Sequence, residues 1–212
     1  MAVIDQPRGR FITFEGVDGA GKSSQLAWIA ERLRAGANAR GREVVVTREP
    51  GGTPLAEKLR ALVLSEPMDP LAETLVMFAA RADHVQKVIA PALLRGAWVV
   101  CDRFTDATLA YQGAGKGVSV EWIRQLAQST HPGLAPDMTL VFDCPYEVSR
   151  SRLNTSSRPL DRFEAEERAF FERVRTAYRA LAAAEPGRVR LVDGSKAPNE
   201  VKVEIEKILL ST

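Results

Sequence analysis

Long hydrophobic runs are missing from this 212-residue chain. No stretch approaches the roughly 20 consecutive apolar residues that span a bilayer. The opening MAVIDQPRG also lacks the apolar centre of a secretory leader, so a cytoplasmic protein is expected. Cysteine is scarce: Cys101 and Cys144 each fall in an apolar run and read as small buried side chains. With two histidines in the whole chain, no Cys/His spacing of a metal site accompanies them, and a disulfide would not persist in a reducing cytosol. Charge of one sign is lacking as well. A formal net charge of +2, with both signs interspersed, offers no field for wrapping nucleic acid, so small-molecule substrates are expected. Repeats, low-complexity tracts and linker-like shifts of composition are all absent, which predicts one domain over residues 1–212.

What is present is alternation. Short apolar runs near 10–15, 43–48, 97–102, 137–144 and 188–192 read as strands, separated by longer segments of helical period. That order predicts an α/β fold on a five-stranded parallel sheet flanked by helices. Leu75, Phe78, Ala79, Ala82, Val85 and Ile89 mark one helical stripe within about 70–94, and Phe170, Val174, Ala177, Tyr178 and Leu181 mark another within about 163–184. Between helices, LNTSSRPLDR at 153–162 is polar and reads as a mobile loop.

The most specific motif is GVDGAGKS, Gly16 to Ser23, between the first strand and a helix starting near Lys22. Its spacing is that of a P-loop. Glycines let backbone N–H groups turn in on a polyphosphate, Lys22 extends toward the transferable phosphate, and the Ser23 hydroxyl can meet Mg2+. A triphosphate such as ATP would therefore rest on Gly16, Val17, Asp18, Gly19, Ala20, Gly21, Lys22, Ser23 and Ser24. A second constellation is the strand AWVVCD, whose terminal Asp102 suits the carboxylate that holds Mg2+ beside a P-loop. Arg103 follows at the carboxyl end of the strand, where open α/β sheets bind ligands. Arg48 ends the second strand in TREPGGT, and Arg81 lies in FAARAD. Joining two phosphates requires such cations. Asp18 is unusual, because a carboxylate inside a phosphate loop repels its ligand unless it faces a sugar hydroxyl of a second substrate. A nucleotide-dependent switch is the competing class, but no DxxG follows the second strand and no [NT]KxD guanine reader appears later.

Taken in order, GVDGAGKSS, TREPGGT, FAARADH, CDRFTDATLAYQG, PDMTLVFD and LDRFE closely resemble bacterial thymidylate kinases, from Phe11 to about Leu209. The resemblance implies a P-loop NTPase fold with a small lid at about 153–162, ATP-dependent phosphorylation of dTMP to dTDP, and a homodimer. It implies that Lys22 and the backbone of Gly16 to Ser24 hold the ATP phosphates, that Ser23 and Asp102 manage Mg2+, and that Arg48 and Arg103 grip the dTMP phosphate. It further implies that Asp18 binds the 3'-hydroxyl, that Arg81, Thr108 and Gln112 meet the base, and that Tyr111 excludes a 2'-hydroxyl. The stacking residue is Phe78 or Met77, with Phe78 preferred because a flat π-face matches a base better than a thioether; many relatives have Phe four residues before the base-binding arginine, where this chain has Met77. Gly19 stands where some relatives carry a P-loop arginine, so the resemblance assigns the catalytic charge to the lid: Arg158, with Arg150, Arg152 and Arg162 as neighbours. A kinase for another nucleotide remains an alternative that the base pocket would decide.

Overall fold

A computed structural model describes residues 9–38, 42–155 and 161–210. Five parallel strands, β1 Phe11–Gly16, β2 Val44–Arg48, β3 Trp98–Asp102, β4 Met138–Asp143 and β5 Val189–Asp193, form one sheet in the order β2-β3-β1-β4-β5. Central β1 is buried along its whole length, whereas edge strand β2 is partly open to solvent. Side chains alternate across the sheet. Phe11, Val99 and Cys101 therefore join one apolar cluster, and Ile12, Phe14 and Val100 join the cluster on the other face. Because both faces are covered, the strands read in sequence as continuous apolar runs.

The helices are α1 Lys22–Asn38, α2 Pro54–Ser65, α3 Pro70–His84, α4 Ala90–Leu94, α5 Thr105–Thr108, α6 Val120–Thr130, α7 Tyr146–Asn154, α8 Arg168–Ala184 and α9 Pro198–Leu210. Starts are written locally. The Thr53 hydroxyl accepts from Ala56 N at 3.1 Å with Pro54 in the first turn, and Asp69 caps Leu71 N ahead of Pro70.

Two expected helices are modified. The 70–94 helix is continuous but contains a widened π-turn at Val85–Ile89, closed by Ala90 N to Val85 O. Pro91 explains it: proline gives no N–H to the preceding turn and its ring crowds that carbonyl, so a wider turn relieves the contact. The expected helix at 163–184 begins five residues later, at Arg168. Asp161 Oδ1 accepts from Phe163 N and Glu164 N while Glu164 Oε2 accepts from Asp161 N, and this reciprocal cap holds a separate turn ahead of α8. A second π-turn, Leu109–Gly115, extends α5 and buries Tyr111 and Gln112.

Gly16 marks where the first strand leaves the sheet. Its φ is 119°, and a Cβ there would stand 2.2 Å from the carbonyl oxygen of Phe142. Neither the angle nor the space admits a side chain. Gly16→Ala is expected to lower the unfolding free energy by at least about 2 kcal/mol, read from urea denaturation midpoints.

Candidate functional site

The carboxyl ends of β1 and β3 carry the reactive-looking groups. After β1, the P-loop turns through Gly19 and Gly21, both at positive φ, and delivers Lys22 to the first turn of α1. Lys22 is buried, and its Nζ donates to Gly16 O at 3.0 Å and Val17 O at 2.8 Å. Burial and the nearby Arg103 guanidinium pull its pKa below the ordinary lysine value. Of three ammonium hydrogens, two are engaged, leaving one for a ligand.

After β3, Arg103 adopts φ 67°, the one described non-glycine residue at positive φ. This conformation is fixed from both sides, by Arg103 N to Phe14 O at 2.9 Å and Phe104 N to Glu15 Oε1 at 2.7 Å. The guanidinium turns back over the P-loop. It donates to Asp18 Oδ1 at 2.6 Å, Tyr111 Oη at 2.9 Å, Gly16 O at 3.0 Å and Tyr178 Oη at 3.3 Å. Tyr111 in turn donates to Asp18 Oδ2 at 2.9 Å. Burial alone would push Asp18 up, but Arg103 and Lys22 outweigh it and hold the carboxyl at about 2.

Beneath this layer lies Glu15, fully buried, accepting from Tyr178 Oη at 2.7 Å. Burial, reinforced by Asp106, raises it to about 8 despite the opposing pull of Arg103 and its two donors.

Two cavities open here. One is lined by Gly19, Gly21, Lys22, Ser23, Ser24, Arg48, Asp102 and Arg152, and the other by Met77, Arg81, Phe104, Thr108, Tyr111, Gln112 and Phe163. They share Asp18, Glu49, Arg60, Arg103 and Asp161. The second spans about 660 Å3 of space not filled by protein, part of it open to solvent. Arg81 enters it held by three hydrogen bonds: Nε donates to Glu49 Oε2 at 2.6 Å, and one terminal nitrogen donates to Phe104 O and to Thr108 Oγ1. Its other terminal nitrogen, Nη1, is buried with no partner. Asp102 Oδ1 is likewise buried and unpaired.

The structure places the sequence-selected residues unequally. Lys22, Ser23, Asp102, Arg103, Asp18, Arg81, Thr108, Tyr111 and Gln112 all line one or both cavities. Phe78 does not. Its ring is buried beneath the Arg81 guanidinium at 4.7 Å, so the preference for Phe78 as a cavity face is corrected in favour of Met77. Arg48 lines only the P-loop cavity and is ion-paired to Glu57 at 2.9 Å. Arg158 lies outside the described residues. Arg150 donates to Glu164 O, Arg162 pairs with Glu73, and Arg152 donates to Gly19 O at 3.3 Å and Gly194 O at 2.7 Å, so Arg152 is the described neighbour on the P-loop cavity.

Among the lining residues that the sequence did not single out are Arg60 and Phe163. Arg60 falls between buried Ala56 and Val63 of α2, so helical period puts it on the inward face and could have singled it out. Phe163 sits 6.1 Å from Tyr111 in the turn ahead of α8, and its place in the LDRFE motif is the signal that could have found it.

A family model described as Thymidylate kinase matches residues 14–205. The chain is 58% identical over 198 residues to the thymidylate kinase of Bordetella petrii, covering 93% of each. It is 54% identical over 202 residues to that of Cupriavidus metallidurans, covering 95% of this chain and 98% of the relative. The solved thymidylate kinase of Ehrlichia chaffeensis superposes with a TM-score of 0.77 at 34% identity, over 96% of this chain and 99% of that one.

Raising the pH from about 4.5 toward about 8 should lower thermal stability, because folded Glu15 retains a proton that the unfolded chain releases. Differential scanning of wild type and Glu15→Gln across that range should show a steeper decline in wild type. Parallel curves would refute this titration.

Proposed function

Since the chain belongs to the thymidylate kinase family, we infer that it transfers the γ-phosphoryl group of ATP to dTMP, giving dTDP and ADP. The observation that carries this reading is the pair of cavities meeting at Arg60 and Arg103, one floored by a P-loop and the other ending on an aromatic and polar base-sized pocket. ATP takes the P-loop side and dTMP the other.

A dTMP phosphate oxygen attacks the γ-phosphorus in line; the new O–P bond forms as the bond to the β,γ-bridging oxygen breaks. The attacking oxygen is already anionic, so no base has to remove a proton. Positioning and charge neutralisation remain. Lys22 and the loop amides hold the ATP phosphates. Arg103, held by Asp18 and by the hydroxyls of Tyr111 and Tyr178, presents its charge where the two phosphates meet, and Arg60 adds a second cation on the shared wall. Arg48 serves the same junction from the P-loop side.

Ser23 and Asp102 suit Mg2+: a hydroxyl and an unpaired buried carboxylate oxygen are hard donors, few in number, as for an ion that also takes phosphate oxygens. When bound, Mg2+ would neutralise charge on the β- and γ-phosphates.

In the acceptor pocket Asp18 keeps lone pairs for the sugar 3'-hydroxyl, and the Tyr111 ring opposes a 2'-hydroxyl. Met77 and Phe163 supply faces for the base, while Arg81 Nη1 donates to a ring carbonyl, alongside Thr108 and Gln112. The 153–162 lid, with Arg158 or Arg152 bringing charge to ATP, excludes water in this reading, which treats residues 1–212 as one kinase domain.

The reading also includes a cytoplasmic homodimer. Leu55 and Leu62 of α2 and Leu71 and Leu75 of α3 are 43–49% exposed on two helices packed together, an apolar face suited to a second copy. No described helix is long and apolar enough to cross a membrane.

An ADP-release assay against dTMP, dUMP, dCMP and thymidine tests the activity, with dTMP expected as the preferred acceptor. Lys22→Ala and Arg103→Ala should each reduce kcat/KM for dTMP by at least about a hundredfold. Turnover near wild type in either variant would remove that residue from its role. Sedimentation should give a dimer for wild type and a monomer for a Leu71→Glu/Leu75→Glu double variant.

A further inference from the structure

Glu73 belongs to α3, is fully buried, and is absent from the lining of either cavity. Its surroundings are nonetheless elaborate. Oε1 accepts from Gln112 Nε2 at 2.8 Å, and Oε2 accepts from Lys116 Nζ at 2.9 Å and from a terminal nitrogen of Arg162. A fully desolvated carboxylate gathering an amide and two cations is costly unless every partner is in place.

The chemical consequence falls on Gln112, which lines the acceptor cavity. A glutamine side chain is ambidextrous: rotated by half a turn, it exchanges a carbonyl acceptor for an NH2 donor. Between two cations, the Glu73 carboxylate offers only acceptor oxygens, so it accepts the NH2 end and rejects the carbonyl end. Gln112 is thereby left with its carbonyl Oε1 for a ligand. On the same cavity Arg81 Nη1 is an unpaired donor, and the Thr108 hydroxyl, already accepting from Arg81, has its hydrogen to give.

We propose that Glu73 is a specificity-determining positioning residue: by fixing the Gln112 amide, it makes the pocket accept a pyrimidine carrying a ring N3–H between carbonyls and repel one carrying a bare ring nitrogen. Thymine and uracil have that N3–H. Cytosine presents a lone pair at N3, which would face the lone pairs of Oε1, and an amino group where Arg81 offers another donor. A freely rotating glutamine would turn its NH2 to cytosine and erase much of this difference. The inference rests on dTMP being the acceptor, and it concerns a residue that touches no substrate.

The test is the ratio of kcat/KM for dTMP to that for dCMP in wild type, Glu73→Gln, Glu73→Asp and Lys116→Met. Glutamine at position 73 accepts either orientation of Gln112, so the ratio should narrow by roughly tenfold or more. Lys116→Met leaves the Glu73–Gln112 bond in place and should keep the ratio within about twofold of wild type. Glu73→Asp retains the charge but withdraws the oxygen by a methylene, and is expected to move the ratio in the direction of Glu73→Gln; it decides the matter should Glu73→Gln not fold. A folded Glu73 variant that loses activity on both nucleotides equally, or keeps the wild-type ratio, overturns the proposal. A wild-type enzyme inactive on dTMP would instead sink the assignment of the reaction.

Discussion

A guanidinium withdrawn from water demands anions and acceptors in return, at a penalty of several kcal/mol if they are missing. Arg103 meets that demand with Asp18, two tyrosine hydroxyls and the Gly16 carbonyl. The four partners come from three parts of the chain: the P-loop, the π-turn after α5, and α8. Beneath this layer the buried Glu15 ties both Phe104 N and Tyr178, itself a partner of Arg103, to β1. The charge at the end of β3 is thus held by a layered network, not by one ion pair. The orientation of the Arg103 guanidinium is thus settled by the protein itself.

The second cavity repeats the principle around Arg81. Arg81 is clamped by buried Glu49, which also contacts His84 Nδ1 at 3.0 Å, and His84 Nε2 reaches Thr47 Oγ1 at 2.6 Å. Phe78 lies under the Arg81 guanidinium as its apolar floor. The aromatic ring thus supports the arginine from below and does not line the cavity.

The scaffold was legible in sequence because a parallel sheet covered on both faces leaves unbroken apolar runs, and all five strands begin and end within two residues of those runs. The P-loop and the Asp102-Arg103 pair were legible because their spacing has few other uses. Side-chain direction was less accessible. Met77 and Phe78 both lie within one turn of Arg81, and only the packing of Phe78 beneath that arginine separates them. Arg60 was hidden as an ordinary helix charge, although its period gave it away. Phe163 was hidden because the Asp161–Glu164 cap stops a helix that apolar spacing alone would have begun earlier.

The left-handed backbone of Arg103 also bears on how freely this site can drift. Glycine would relieve a conformational cost of about 1–2 kcal/mol at that position, yet it would leave Asp18 and two buried tyrosines facing an empty space. Lysine would retain charge but lose the planar fork that reaches four acceptors at once. Local stability and function therefore select different residues at a single codon. The fold carries a small permanent debit there, and selection for thermal robustness must find its gains elsewhere in the chain.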